Sequence, residues 1–377
     1  MKEETLNTRI EIASFPSETG ISEYQAVIHI TNPELNFEEQ LYAISQSVKL
    51  LEDHTLKECR PVFKRYFVSD AANQSECIVA HEEKSAGAYS IIEQPPLDGS
   101  KIALWIYLLR GVDIKKTDTG MSCVSHNGYT HAWIGDMIYP CGDSENQAGW
   151  LLNNYIEKLE AMGGTLADNC IRTWFFVENI DVNYKGMVKG RNDVFCRQGL
   201  TKDNHFIAST GIAGRNSDIR SFVQLDAYAL FGAAPEQIRY LYAKTHLNPT
   251  YEYGVSFERG TYVDYGDRRQ VFISGTASIN YKGEIEHVGD IRKQTERMWD
   301  NVEALLKEAD MDFTDTGAFI VYLRDIADYT ITKKLFEERF PDHPTIIVHA
   351  PVCRPQWLIE MECMGVKFMK HDKFKTF

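Results

Sequence analysis

A carboxylate set in a run of apolar residues is the first feature of this sequence able to do proton chemistry. Glu360 and Glu362 alternate through WLIEMECMGV, residues 357–366, so a strand would carry both on one face. Burial disfavours the ionised form of a carboxyl and raises its pKa. A proton then stays available near neutral pH, which suits a general acid. A solvated strand face with two acidic groups is the plainer alternative. Upstream, Ser274-Gly275-Thr276-Ala277-Ser278 follows the apolar run QVFI. Gly275 permits a ligand to approach the backbone closely, and the hydroxyls of Thr276 and Ser278 could bond a carboxylate or hydroxyl. A β-bulge with satisfied hydroxyls fits the same residues. Asp290, ahead of an amphipathic run, reads as a helix cap. The eight cysteines form no CxxC or other compact metal pattern, so they read as reduced thiols and no metal site is expected.

The elements that must position these residues occur three times. From Gln294, QTERMWDNVEALLKEADM places Met298, Val302, Leu305 and Leu306 on one helical face. The buried strand AFIVYLRD, a second helix ITKKLFEERF and the extended stretches TIIVHAPV and WLIEMECMGV follow. The first hundred residues keep the plan. QLYAISQSVKLLEDHTL begins at Gln40, 254 residues before Gln294, and Asp70 and Ile91 lie 255 before Asp325 and Ile346. The middle third repeats it from Gln147, and FVQLDAYALF matches LIEMECMGVK. Aligned at the last strand, Glu360 falls on Gln224 in the second copy and on Trp105 in the first. One of the three equivalent positions is then ionisable. The fold class is α/β (α+β): units over 1–112, 113–238 and 239–377 packed as a pseudo-trimer within one chain, the active site in the last.

The composition is that of an ordinary folded protein: 377 residues, 44% hydrophobic and 25% charged. A net charge of −14 argues against nucleic acid or an anionic membrane as partner. A small anionic substrate remains open, because a pocket can be locally basic. The N-terminal MKEETLNTRIEIASF does not read as a signal peptide, and no run reaches the roughly 18 apolar residues of a membrane span. The expected setting is soluble and cytoplasmic.

The last unit resembles the RidA/YjgF (endoribonuclease L-PSP-like) superfamily in FISGTASI, DNVEALLKEA, VYLRDIADY and WLIEMECMGV. Members are homotrimers of a chorismate-mutase-like fold. A narrower resemblance runs through RTWFFVENI, YKGMVKGRNDVF, YGVSFERG, FISGTASINYKGEIEHVGDIRKQ and VCRPQWLIEME. Together these are similar to the chorismatases, which cleave chorismate to pyruvate and a dihydroxycyclohexadiene acid or a hydroxybenzoate. That resemblance implies Glu360 as the catalytic acid and needs no metal or organic cofactor. Arg172, Arg191 and Arg259 lie inside the matching strings and become candidate clamps for the two carboxylates of a chorismate-like substrate, with Tyr184 a hydrogen-bond donor. Gly260 with Cys353 resembles the branch that forms 3-hydroxybenzoate. Two departures stand out. Glu258 occupies a usually small position beside Arg259, and the arginine with which RidA proteins hold imino acids is absent, since Thr345 and Ile346 follow Pro344. The alternatives are a RidA-like enamine or imine deaminase and a non-catalytic small-molecule-binding scaffold. A fused pseudo-trimer is expected to be a monomer or a weak homo-oligomer.

Overall fold

A computed structural model describes residues 7–17 and 20–377. The first unit runs β1 (Thr8–Phe15), β2 (Glu23–Ile30), α1 (Phe37–Leu50), β3 (Cys59–Val68), α2 (Ala71–Glu82), β4 (Ala88–Glu93) and β5 (Ile102–Arg110). The second runs β6 (Ile114–Lys116), β7 (Ser122–His126), β8 (Tyr129–Ile138), α3 (Ser144–Ala161), α4 (Leu166–Asn169), β9 (Cys170–Val177), α5 (Ile180–Arg197), β10 (Ala208–Ala213) and β11 (Val223–Phe231). The third comprises β12 (Ile238–Leu241), β13 (Gly260–Asp264), β14 (Arg268–Ala277), α6 (Ile291–Glu308), β15 (Thr316–Leu323), α7 (Tyr329–Arg339), β16 (Thr345–His349) and β17 (Ile359–Phe368).

Each unit forms one sheet, and the three orders are the same: β1-β2-β5-β3-β4, then β7-β8-β11-β9-β10 with β6 added at the edge, then β13-β14-β17-β15-β16 with β12 added. In each, the last strand is inserted antiparallel between two earlier ones. The helices expected from Gln40, Gln147 and Gln294 and at ITKKLFEERF arise as α1, α3, α6 and α7, whereas α2, α4 and α5 were not foreseen. Met298, Val302, Leu305 and Leu306 of α6 are all buried, and the Asp290 side chain caps that helix by accepting from Lys293 N. Among the described residues no helix is long and apolar enough to cross a membrane.

The helices cover one face of their sheets, and the other faces meet around a central pseudo-threefold axis. Phe63, Trp105, Trp133, Trp174 and Tyr228 from the first two units pack there, with Trp133 and Tyr228 stacked at 4.4 Å. Charge is buried among these rings. Arg65, fully inaccessible, lies 2.9 Å from Asp226 and 3.4 Å from Glu362, and its guanidinium stands over Trp174 at 4.8 Å. Arg172 closes the cluster at 2.5 Å from Glu362. One cation from the first unit, one of each sign from the second and one anion from the third thus tie the chain together.

Strand register corrects one expectation. Glu360 pairs with Tyr322 on β15, one residue before the strand ends at Leu323. The corresponding pairs are Gln224 with Phe176 and Ala103 with Phe67. Trp105 pairs with Arg65 and so corresponds to Glu362, which pairs with Ile320. The set at the catalytic position is therefore Ala103, Gln224 and Glu360. The stretch from the middle strand to the closing strand is two residues longer in the third unit (Leu323 to Ile359) than in the first (Val68 to Ile102), so an offset fixed on the helices slips at β17.

Candidate active site

The candidate site lies between the second and third units, where β10 runs beside β14. Ser209 N donates to Ser274 Oγ at 3.0 Å, and Gly275 N donates to Thr210 Oγ1 at 2.8 Å. Second-unit residues Tyr184 and Arg191 come from α5, which sits unusually close to α3. A Cβ on Gly186 or Gly190 would fall 2.2 or 2.3 Å from Ser144 Oγ or Glu145 O, and this contact brings Tyr184 and Arg191 over β10. The third unit supplies Arg259, Gly275 and Ala277, then Cys353, Trp357 and Glu360 from the last loop and strand.

Glu360 is 5% exposed. Burial is the main force on its carboxyl and the nearby Glu362 charge the next; together they push it up to about 8, against the pull of Arg259 and Arg172. At neutral pH this carboxyl holds its proton, the state a general acid needs. Gly275 makes room for it, since a Cβ there would fall 2.1 Å from Glu360 Oε1. Arg259 is anchored by donating Nη2 to Asn248 O at 3.1 Å and Asn248 Oδ1 at 3.2 Å. Arg191 is buried, with the rings of Phe175 and Phe195 each 5.9 Å from its guanidinium. The Tyr184 hydroxyl meets the Cys353 thiol, which burial pushes up to about 12. Cys353 is thus a neutral thiol and not a nucleophilic thiolate.

Of the predicted residues, Tyr184, Arg191, Arg259, Gly275, Cys353 and Glu360 line one cavity. Four others lie elsewhere. Arg172 spends its guanidinium on Glu362, Thr210 Oγ1 and Thr173 O. Gly260 is packed against Leu241 and Phe272. Thr276 donates to Ser274 O, and Ser278 donates to Glu286 O. The hydroxyls foreseen as ligand donors are in fact satisfied by backbone. Sequence reasoning missed Ser209, Gly211, Phe257, Ile279 and Trp357 as wall residues. Phe257 and Trp357 flank Arg259 and Cys353 inside strings already singled out. Ser209 and Gly211 belong to a small-residue run, ASTGIAG, whose likeness to SGTAS was the available signal.

The cavity leaves about 30 Å³ for water centres, room for a water or two. Phe257 and Arg259 separate it from a second space of about 50 Å³ bordered by Lys202, Lys244 and Asn248. Glu258 also borders this second space. Its carboxyl accepts from Phe206 N at 2.8 Å, and burial pushes it up against the pull of that hydrogen bond and of Arg259. Among the described residues no group of three or more His, Cys, Asp or Glu is placed to hold a metal ion.

The other two interfaces differ. Between the first and second units, Gln224 donates to Ser90 Oγ and Asp136 Oδ1, each at 3.1 Å, and accepts from Asn216 at 3.0 Å. That position is filled by its own hydrogen bonds. At the third interface Ala103 offers no polar group.

Residues 257–367 match the family model described as endoribonuclease L-PSP. A RutC family protein of Pyrococcus abyssi is 34% identical over 100 residues, covering 26% of this chain and 78% of the relative. The chain belongs to the RutC family. A second RutC relative, the 3-aminoacrylate deaminase RutC of Acinetobacter baylyi, is 28% identical over 93 residues, covering 24% of this chain and 74% of its own length. These RutC matches fall on about a quarter of the chain. The fold is similar to that of a chorismatase crystal structure, at TM-score 0.65 and 17% identity, over 83% of this chain and 95% of that one. The fold is therefore a RutC-type unit repeated three times in tandem, as in that chorismatase.

Proposed function

We propose that this chain cleaves chorismate at its enolpyruvyl ether and releases pyruvate. The observation that carries the proposal is the buried Glu360, held protonated at neutral pH and facing a cavity that also presents Arg191 and Arg259. Glu360 would donate its proton to the methylene carbon of the enol ether, leaving an oxocarbenium ion. Where water attacks that ion and returns a proton to Glu360, the resulting hemiketal breaks the bond between its central carbon and the ether oxygen, which stays on the ring and takes the hemiketal hydroxyl proton. The products are pyruvate and a dihydroxycyclohexadiene acid, with one water consumed. Where the ring aromatises instead, no net water is consumed and a hydroxybenzoate accompanies pyruvate. Arg259 and Arg191 would fix the carboxylates by charge-assisted hydrogen bonds. Orientation and preorganised charge would carry most of the acceleration. Cys353 beside Glu360, as a neutral apolar wall that excludes water, favours 3-hydroxybenzoate; Gly260 would act only through the packing of β13. The likeness in fold to a chorismatase supports the same reading. A ten-carbon dianion needs more room than this cavity of about 30 Å³ leaves, so its wall would have to move for the substrate to enter.

The test is incubation with chorismate, following pyruvate by a coupled dehydrogenase and the acid product by chromatography. Wild-type protein should release pyruvate, and Glu360→Gln should not. Absence of pyruvate from the wild type overturns the proposal.

A second reading follows from the RutC relatives. Carbon protonation of an enamine by Glu360, then water addition to the iminium, would release ammonia. Against it, Thr345 and Ile346 follow Pro344 where an imino-acid-binding arginine would stand. Ammonia released from freshly generated 3-aminoacrylate would favour this reading.

A further inference from the structure

Glu362 stands two residues beyond Glu360 on the same strand face, 3% exposed. It points to the axis, whereas Glu360 points into the cavity. Its Oε1 accepts from Trp174 Nε1 and the Tyr322 hydroxyl, each at 2.9 Å, and from Arg65 Nη1 at 3.4 Å. Its Oε2 accepts from Arg172 Nη2 at 2.5 Å and from the Thr210 hydroxyl. Guanidinium and indole N–H groups can only donate, so both Glu362 oxygens serve as acceptors. Thr210 continues the chain. Its oxygen also accepts from Gly275 N at 2.8 Å, and Gly275 is the residue against which Glu360 Oε1 lies. A connected path therefore runs from Glu362 through Thr210 on β10 and Gly275 on β14 back to Glu360.

We propose that Glu362 is the positioning residue for the general acid. As a fixed anion on the axis, it neutralises Arg172 and, through Thr210 and Gly275, sets the floor on which the Glu360 carboxyl rests. The proposal rests on the reading of Glu360 as a proton donor. The other groups facing Glu360 are Arg259 ahead of β13, Arg172 on β9, Tyr184 and Arg191 on α5, and Cys353 in the last loop. The charged ones are cations, which draw the proton away. Glu362 supplies the opposing charge. Burial comes first and Glu362 second among the causes that raise the Glu360 carboxyl, with Arg259 and Arg172 lowering it. Removing the Glu362 charge also frees Arg172 to act on Glu360, so both consequences have one sign.

The test uses the ligand-free full chain. Glu360 is titrated through its protonated-carboxyl infrared band, identified by its loss in Glu360→Gln. In Glu362→Gln the midpoint should fall by at least about one pH unit, a tenfold loss of proton affinity. In Arg172→Met, which leaves Glu362 less compensated, it should rise. With chorismate, the basic limb of kcat/KM should move the same way as the midpoint in each variant. A merely structural role would lower activity at every pH in both variants without moving the midpoints in opposite directions. An unmoved midpoint in Glu362→Gln, or a shift of one sign in both, overturns the proposal. If Glu362→Gln does not fold, Arg172→Met carries the test alone, and a midpoint that fails to rise overturns it. Because the infrared titration needs no substrate, failure to cleave chorismate sinks only the function proposed above and leaves this result readable.

Discussion

Replacing Glu360 by glutamine should stabilise the protein, and by more as the pH rises. In the folded chain this carboxyl is pushed to about 8 by burial and by Glu362; unfolded, it returns to its ordinary 4.5. Below 4.5 the proton is bound in both states and the substitution changes little. Between 4.5 and 8 the unfolded chain has released a proton that the folded chain still holds, so wild-type stability falls as pH rises. The slope is about 1.4 kcal/mol per pH unit. At pH 7 the accumulated loss is about 3 kcal/mol, levelling near pH 8 as the folded carboxyl ionises in turn. Glutamine is nearly isosteric and has no proton to lose, so it escapes this penalty. Urea unfolding followed by tryptophan fluorescence, for both proteins between pH 4.5 and pH 8, measures the difference directly. The two stability curves should converge at the acid end and separate steadily above it. Parallel curves, or a glutamine variant that is less stable at pH 7.5, would refute the claim that Glu360 is kept protonated by its surroundings. The same substitution removes the proposed acid, so this variant should be more stable and inactive together.

Three further outcomes follow from the geometry. Gly275→Ala places a methyl 2.1 Å from the present position of Glu360 Oε1; the carboxyl must move, and kcat/KM on chorismate should drop by about 10²-fold with circular dichroism unchanged. Arg259→Lys keeps the charge but loses the planar fork, so KM should rise about tenfold or more while kcat changes less, measured by steady-state pyruvate release. Arg65→Met leaves Asp226 and Glu362 without their shared cation at the centre of the molecule and should cost about 3–5 kcal/mol in urea unfolding; wild-type stability would show that the axial charges do not hold the units together.

The repeat was legible because helix faces and buried strands impose periods that survive divergence. The first helices, starting at Phe37 and Ile291, lie 254 residues apart, and the strand ends Val68 and Leu323 lie 255 apart. The closing strands, starting at Ile102 and Ile359, lie 257 apart. Residues gained in the connecting loops carry no periodic signal, which is why Trp105 was aligned where Ala103 belongs. The carboxylate itself could be found, because an ionisable group in an apolar strand is conspicuous. Its surroundings were harder to read. Arg172 looks like Arg259 in sequence, yet one is spent on Glu362 and the other lines the cavity. That difference depends on which units face each other across the axis, and so on contacts between residues far apart in the chain. Thr276 and Ser278 failed as ligand donors for a related reason: their hydroxyls are satisfied by backbone carbonyls in the folded chain.

The charges on the axis also bear on copy number. Three identical subunits around a true threefold would place the same residue three times at the centre: three Glu362 carboxylates, three Asp226 carboxylates or three Arg65 guanidiniums. Each such trio is self-repelling and buried. Only a chain whose repeats have become unlike can set Arg65 from one, Asp226 and Arg172 from another and Glu362 from a third in mutual contact. Joining the three units in one polypeptide thus let each mutate without being copied to its neighbours. The charge pattern that resulted disfavours the symmetric assembly: three copies of the third unit would bring three Glu362 carboxylates to the axis without Arg65 and Arg172 to meet them.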